Sequence, residues 1–445
     1  MKERKKKLQG ASGTPDFRPI PMDADGEADF YLEKQLKLKN VERVSDILLL
    51  VLTLGFIYVF AVLFWIIPDA DFSPEENRSL QTAPTLSVES FFSGEFSNAF
   101  ADYMADQFPC RNFFVGLKAG SELAQLKMEN NGIITGSDGY LVARNDYPDN
   151  EGSYLEKNLS AAARFIQAAE KEGIPCVFAA AGRKQDVCDS RLPGIYGSGM
   201  SDRLWENIGE TSGRLGLDIC NLRDSLRRDD ESGSQVYYKN DHHWNAYGAY
   251  LGYAETLRAM GETPYERDSF EVEIASVDFF GTTWSSSGVK WAKPDTLEYY
   301  RWEGDDSLTM RILEPSGVFE GYEGCNYETD SDGTWAVFDS VYVRRFLGEK
   351  DKYASFLGGN YGYTEIRSDS GENRETLLVL KDSFAHSVAP MLARHYDLIL
   401  VDLRYYRQPI LKFCREKGVN RVLFMYNAET LTESAYLNVL NAGLS

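Results

Sequence analysis

Positive charge is scarce in this chain. Its 445 residues hold 47 Lys and Arg against 68 Asp and Glu, a net charge of −21. That excludes a nucleic-acid binder, whose affinity comes from basic side chains neutralising phosphates. Histidine is scarcer still, with four residues: His242, His243, His386 and His395. No two of the six cysteines form a CxxC pair, which removes zinc-ribbon and thioredoxin-like motifs. Cys176 and Cys220 sit in apolar, strand-like runs and read as buried thiols, and spacing sets no disulfide pairing among the six. There is no internal repeat. With 43% hydrophobic residues, the chain can build a large domain with insertions, or two or three smaller ones.

The charge is unevenly spread. Residues 1–45 carry ten basic and eight acidic side chains, so the remainder is strongly acidic. An acidic outer surface weakly repels polyanions and favours a neutral polymer as partner.

Residues 47–67 form a run of 21 residues without a charge. About 20 apolar residues rising 1.5 Å each span a bilayer core of ~30 Å. The run lacks the polar stripe of a core helix. It is also longer than a signal peptide's apolar region and ends on Trp65, Pro68, Asp69 and Asp71 rather than a small-residue cleavage site. Basic residues precede it (Lys2 to Lys7, Lys34, Lys37, Lys39, Arg43) and acidic ones follow. The expectation is one transmembrane helix over 46–67, a cytoplasmic N-terminal tail over 1–45, and everything after it outside the cell. The tail from Gly10 to Asp29, rich in Gly, Pro and acidic residues, is expected to be without structure.

Beyond the span, 68–135 reads as a helical, membrane-proximal region, and Gly136-Ser-Asp-Gly-Tyr140 as a turn leading into a strand. From 136 to 445 the pattern is α/β. Leu155, Leu159, Ala162, Ile166 and Ala169 mark an amphipathic helix. Ile174 to Ala179, Leu217 to Leu222, Thr376 to Leu380, 397–402 and 420–426 read as strands, and 201–215, 245–260, 385–396, 409–417 and 429–441 as helices. Short apolar strands alternating with helices imply a parallel sheet covered on both faces. Residues 266–366, rich in Tyr, Trp, Thr, Val and Gly, read as a β-rich insertion.

Two of the four histidines are adjacent, in Asn240-Asp-His-His-Trp-Asn245. This polar cluster follows Val236-Tyr-Tyr and precedes a helix, a strand-to-helix junction of the kind where α/β sheets gather ligand chemistry. In an extended segment residues two apart point the same way, so Asp241 lies beside His243 while His242 points away. A carboxylate accepting from one imidazole nitrogen leaves the other free as a base. The matching nucleophile is Ser383, in Leu377-Leu-Val-Leu-Lys-Asp-Ser-Phe-Ala385. A serine between a strand and a helix exposes its hydroxyl and places backbone N–H groups near a developing oxyanion, although Asp382 or Ser383 at such a place also serves as an ordinary N-cap.

Asp241-His-His-Trp244 resembles the signature of the bacterial DHHW proteins, which are similar to the alginate O-acetyltransferase group of the SGNH hydrolase-like superfamily. Glu76-Asn-Arg-Ser-Leu80, Asp106-Gln-Phe-Pro with Arg111, Gly136 to Leu141, Lys381-Asp-Ser-Phe-Ala385 and Asp402-Leu-Arg-Tyr-Tyr406 fit the same resemblance, in the same order. It implies an SGNH hydrolase-like three-layer α/β/α domain preceded by one transmembrane helix. It also implies a catalytic set of Asp241, His243 and Ser383, in the permuted order of the alginate group. The resemblance points to acetyl-ester chemistry on a cell-surface polysaccharide, transferase or esterase, with no metal or organic cofactor. A multi-pass membrane O-acyltransferase is the implied acetyl donor, since acetyl-CoA is cytosolic. Lys184, in Ala181-Gly-Arg-Lys, falls where the alginate group often has Pro-x-Lys. With His242, Trp244, Arg404, Tyr405 and Asn427 it completes the candidate substrate-binding residues. Two other readings remain open. One is a non-catalytic glycan-binding protein of polysaccharide export on the same fold. The other is a metal-dependent phosphoesterase, which would need ligands that His386 and His395 are badly placed to supply.

Overall fold

The computed structural model describes residues 25–444 apart from residue 77 and residues 146–151, 197–198 and 370–373, with the backbone alone at 25–33, 152–153 and 199–200. The apolar run lies inside one long helix, Asp25–Ile66, of which Lys34–Ile66 is long and apolar enough to cross a membrane. The helix starts some twenty residues before the uncharged run, because Glu, Lys and Leu dominate 32–39 and favour helix whether or not they face lipid. Of the stretch expected to lack structure, residues 10–24 lie outside the described residues, and Asp25 to Asp29 open this helix.

The chain divides into two units. One comprises the long helix to residue 70 together with 81–109, where the helices Val88–Ser93 and Glu95–Asp106 follow. Ser87 caps the first of these by accepting from the Ser90 N–H, and Gly94, at φ 81°, separates the two. Within this unit Phe60 stacks on Phe108 and the Tyr103 hydroxyl donates to Asp69.

The other unit, 71–80 with 110–445, is built on a nine-stranded mixed sheet. Its strands are β1 (Cys176–Ala181), β2 (Ile219–Asn221), β3 (Leu308–Leu313), β4 (Cys325–Thr329), β5 (Thr334–Phe338), β6 (Tyr363–Ser368), β7 (Thr376–Lys381), β8 (Asp397–Val401) and β9 (Arg421–Asn427). In space they run β4-β5-β3-β6-β8-β7-β9-β1-β2. The five from β8 to β2 are parallel, and the other four continue the sheet antiparallel. Leu377, Leu378, Val379 and Leu380 of β7 are all buried, the unbroken apolar run expected of a strand covered on both faces.

The β-rich stretch 266–366 supplies β3, β4, β5 and the first part of β6, so it widens the main sheet. It also forms a separate hairpin, Glu271–Phe279 against Asp295–Arg301. Val236 to Tyr238 differs from its sequence expectation. It joins no sheet; the chain folds back on itself, with a bridge between Tyr237 and Trp244 and a hydrogen bond from the Tyr238 N–H to the His243 carbonyl. Residues 385–396 are a 3-10 turn, Ser383–Ser387, followed by a single α turn, Ala389–Leu392, because Pro390 can be accommodated only in a first helical turn. The final helix is likewise shorter, Ala428–Glu433, followed by the 3-10 segment Tyr436–Asn441.

Candidate active site

β7 delivers Ser383. The strand ends at Lys381, and Asp382 adopts an extended conformation that caps the turn by accepting from the Phe384 N–H. The other Asp382 oxygen accepts from the Asn427 N–H at 2.7 Å and the Thr430 hydroxyl at 2.8 Å. The carboxylate thus ties the end of β7 to the end of β9. Burial pushes the Asp382 carboxyl up, against those hydrogen bonds. Ser383 stands at the first helical position, where a backbone N–H has no partner inside the turn.

The Asp241 loop brings the histidine. Asp241 Oδ1 accepts from the His243 backbone N–H at 2.9 Å and from His243 Nδ1 at 2.6 Å. The first bond closes an Asx turn, so the two side chains meet through a bend and not through the alternation of an extended strand. A carboxylate only accepts, so Nδ1 carries the proton and Nε2 presents its lone pair to the Ser383 hydroxyl, 2.8 Å away. Asp241 is 2% exposed and His243 5%. Burial alone would raise the Asp241 carboxyl, but the His242 and His243 charges and the His243 hydrogen bonds outweigh it and hold the carboxyl well below its ordinary range.

Lys184, 4% exposed, donates to the carbonyls of Leu141, Lys239 and Asp241 at 2.7, 2.8 and 3.0 Å. Its three protons are spent, so in place of the expected ligand contact it holds the loop that carries Asp241. Desolvation brings its pKa down to about 8. Trp244 is also turned inward: fully buried, it donates from Nε1 to the Phe384 carbonyl and the Ser387 hydroxyl, beneath the Ser383 turn. Gly252, on the helix Ala246–Ala259, makes room for that indole, and Gly248, one turn earlier, makes room for the Val236 carbonyl; a Cβ at either would overlap its neighbour.

Two residues that sequence reasoning missed come from the β-rich insertion. Thr282 donates to Asp241 Oδ2 from its N–H at 2.9 Å and its hydroxyl at 3.1 Å. Gly281 precedes it because a Cβ there would overlap the Asp241 carboxylate. Tyr353 stacks on the His243 ring, and its hydroxyl donates to the Ser383 carbonyl at 3.2 Å. Gly281-Thr-Thr carries no signal that links it to a residue forty positions earlier.

A cavity of about 350 Å³ opens beside Ser383, walled among others by His242, Thr282, Arg404, Asn427 and Glu429, within the range of small-ligand sites. The His242 side chain is 36% exposed. Surrounding protein and then the His243 charge push its pKa down to about 4, so the ring is neutral near pH 7. Arg404 grips Asp402 through Nε and Nη2 at 2.9 and 2.6 Å. Asn427 spends its side chain on the Gly182 carbonyl and the Glu429 N–H. Tyr405 is 59% exposed and does not wall the cavity.

Asp241, His242 and His243 lie close enough together to share a metal ion. Both Asp241 oxygens and both His243 nitrogens are already engaged, however. None of the six cysteines is in a disulfide.

The arrangement suits attack of a serine hydroxyl on an acyl carbonyl, with the imidazole as base and the carboxylate as its support. Comparison with known proteins agrees on the fold. Residues 133–277 match the family model "SGNH hydrolase-like domain, acetyltransferase AlgX", and residues 216–402 match the model "DHHW protein". A DHHW family protein from Eubacterium siraeum superposes with a TM-score of 0.53 at 19% identity, covering 71% of this chain and 97% of that one. Bacillus cereus PatB1, solved with a sulfonyl adduct, superposes with a TM-score of 0.54 at 21% identity, covering 68% and 98%. No curated protein matches.

Proposed function

The chain is a DHHW family protein with an AlgX-like SGNH hydrolase-like domain, and on that premise we propose that it moves acetyl groups on a cell-surface polysaccharide, with Ser383 as nucleophile. The observation that carries this reading is the relay from Ser383 Oγ through His243 to Asp241, with steps of 2.8 and 2.6 Å.

In the proposed reaction His243 Nε2 takes the Ser383 proton as Oγ attacks the acetyl carbonyl. The Ser383 N–H, at the first position of its turn, stabilises the oxyanion. The intermediate collapses to acetyl-Ser383, and His243 returns the proton to the departing oxygen. A sugar hydroxyl then gives its proton to His243 and attacks the acetyl-enzyme, restoring Ser383. Water in place of the sugar makes the same site an esterase. Asp241 orients the imidazole and balances its transient charge.

The proposal extends to location. The helix Asp25–Ile66 is a membrane anchor with its basic end in the cytoplasm, so the catalytic unit lies outside and takes its acetyl groups from a multi-pass membrane O-acyltransferase. Normal acetylation of the surface glycan after deletion of every such partner would overturn that pairing.

The deciding experiment is intact-protein mass spectrometry of the full chain in detergent after exposure to p-nitrophenyl acetate. An acetyl group on Ser383, absent from Ser383→Ala and His243→Ala, is the expected result. B. cereus PatB1 was solved with a sulfonyl adduct; here a sulfonyl fluoride is expected to label Ser383 and block acetylation. Labelling that persists in Ser383→Ala would overturn the assignment.

A further inference from the structure

Beside the Thr283 hydroxyl, which has no partner among the described residues, the cavity wall carries a group of hydrogen-bond acceptors. Thr282 has a single hydroxyl proton, which it donates to Asp241 Oδ2. It therefore accepts from His242 Nδ1, 2.6 Å away, and the neutral His242 ring keeps a bare lone pair on Nε2. Opposite, on the helix Ala428–Glu433, Glu429 and Glu433 are four residues apart and both wall the cavity. Neither carboxylate is in an ion pair with a described residue, and the two share a side-chain hydrogen bond. The two face each other, and burial followed by the Glu433 charge brings Glu429 to about 7.

The nearby cations are each paired with another carboxylate. Arg404 is held by Asp402. Arg183, 4% exposed, is held by Asp186. The wall beside Ser383 therefore presents acceptors and two adjacent carboxyl groups to whatever enters.

We propose that this cavity binds the acetyl acceptor as a sugar ring without a carboxylate, whose hydroxyl or ammonium donors meet His242 Nε2, Glu429 and Glu433, and that these three groups exclude uronate residues. The proposal rests on the reading of Ser383 as an acetyl carrier and names its acceptor class. A hydroxyl-rich or amino sugar satisfies bare acceptors directly, whereas a uronate would place a third carboxyl group against Glu429 and Glu433.

The test is equilibrium binding, which needs no turnover. Ser383→Ala full chain in detergent is titrated with three tetrasaccharides: β-1,4-glucosamine, cellotetraose and a tetragalacturonate. The first two are expected to bind at least tenfold more tightly than the third, and the combined Glu429→Gln and Glu433→Gln changes to shrink that gap to about threefold or less. Equal or tighter binding of the uronate overturns the proposal, as does a gap that survives both changes in a protein whose circular dichroism matches the parent. The parent comparison stands alone if the double variant fails to fold. Formation of acetyl-Ser383, measured separately on the unsubstituted chain, decides the underlying reading, so either can fail without the other.

Discussion

The Tyr353 ring lies flat on the imidazole of His243, with centroids 3.8 Å apart and planes 7° from parallel. The two residues are 110 positions apart, and Tyr353 belongs to the β-rich insertion. Its hydroxyl also reaches the Ser383 carbonyl, so one side chain bears on both His243 and the Ser383 turn. The Tyr353 proton is given to the Ser383 carbonyl, so Ser387, which accepts from Trp244, donates to the Tyr353 oxygen, 3.1 Å away.

Tyr353→Phe keeps the stacked ring and deletes two hydrogen bonds, which predicts about 1–3 kcal/mol of lost stability and a fall in p-nitrophenyl acetate turnover of no more than about tenfold. Tyr353→Ala removes the ring and is expected to cost about 3–5 kcal/mol, with a far larger loss of turnover. Denaturant titration and initial rates on both variants check this. Equal rates for the two would show that stacking does not position His243.

Gly281→Ala forces a methyl into the Asp241 carboxylate. Overpacking of this kind costs about 1–3 kcal/mol. The greater effect falls on turnover, because a displaced Asp241 no longer orients His243. The expected loss is about 10²-fold, read by initial rates with thermal melting as the control for folding.

Asp241→Asn keeps the shape of the site but removes the charge that supports the imidazolium and selects its tautomer. The expected loss in turnover is up to about 10⁴-fold. The Asp241 carboxyl is held below its unfolded value, so its stabilising contribution is present above a pH of about 4 and is lost as the pH falls through the folded value. The substitution therefore flattens the acid limb of stability below about pH 4, as urea titrations at pH 3 and 7 would show.

Two further histidines set a second window. Burial, then neighbouring cations, push His386 well below its usual range and His395 down to about 4. A depressed imidazole stabilises the fold above its unfolded pKa of about 6.5 and loses that contribution as the pH falls through the folded value. Stability is expected to drop as the pH is lowered from about 6.5 toward 4, by at most about 1.4 kcal/mol per pH unit for each group. His395→Gln should reduce the slope in urea titrations; an unchanged slope refutes the assignment.

Lys184→Met keeps the stem and takes a donor from the Leu141 and Asp241 carbonyls, both buried, and from the Lys239 carbonyl, which keeps the Leu141 N–H. A loss of about 3 kcal/mol or more is expected, together with reduced turnover through the loosened Asp241 loop. Unchanged stability would mean that water replaces the ammonium.

What was legible in the sequence was local. The apolar run, the covered strand Thr376–Lys381 and the helix Ala246–Ala259 each declare themselves through period and composition within about twenty residues, since burial on one face or two leaves a direct mark on residue order. Asp241, His243 and Ser383 were legible as residue types at junctions. The reason first given for the Asp241–His243 pairing, an extended strand, is replaced by an Asx turn. Lys184 and Trp244 were legible as special but read as ligand contacts. Whether a donor faces a ligand or a carbonyl depends on chain segments that spacing cannot bring together.

The sequence by itself determined the apolar helix, the alternating α/β order and the chemistry available at Asp241, His243 and Ser383. Tertiary structure alone decided that 266–366 would widen the sheet and reach back to the site, with Thr282 bonded to Asp241 and Tyr353 stacked on His243. It also decided that Glu429 and Glu433 would face the same cavity as His242. The physical reason is that periodicity encodes which face of an element is buried, while the identity of the partner across that face is set by packing among segments a hundred or more residues apart.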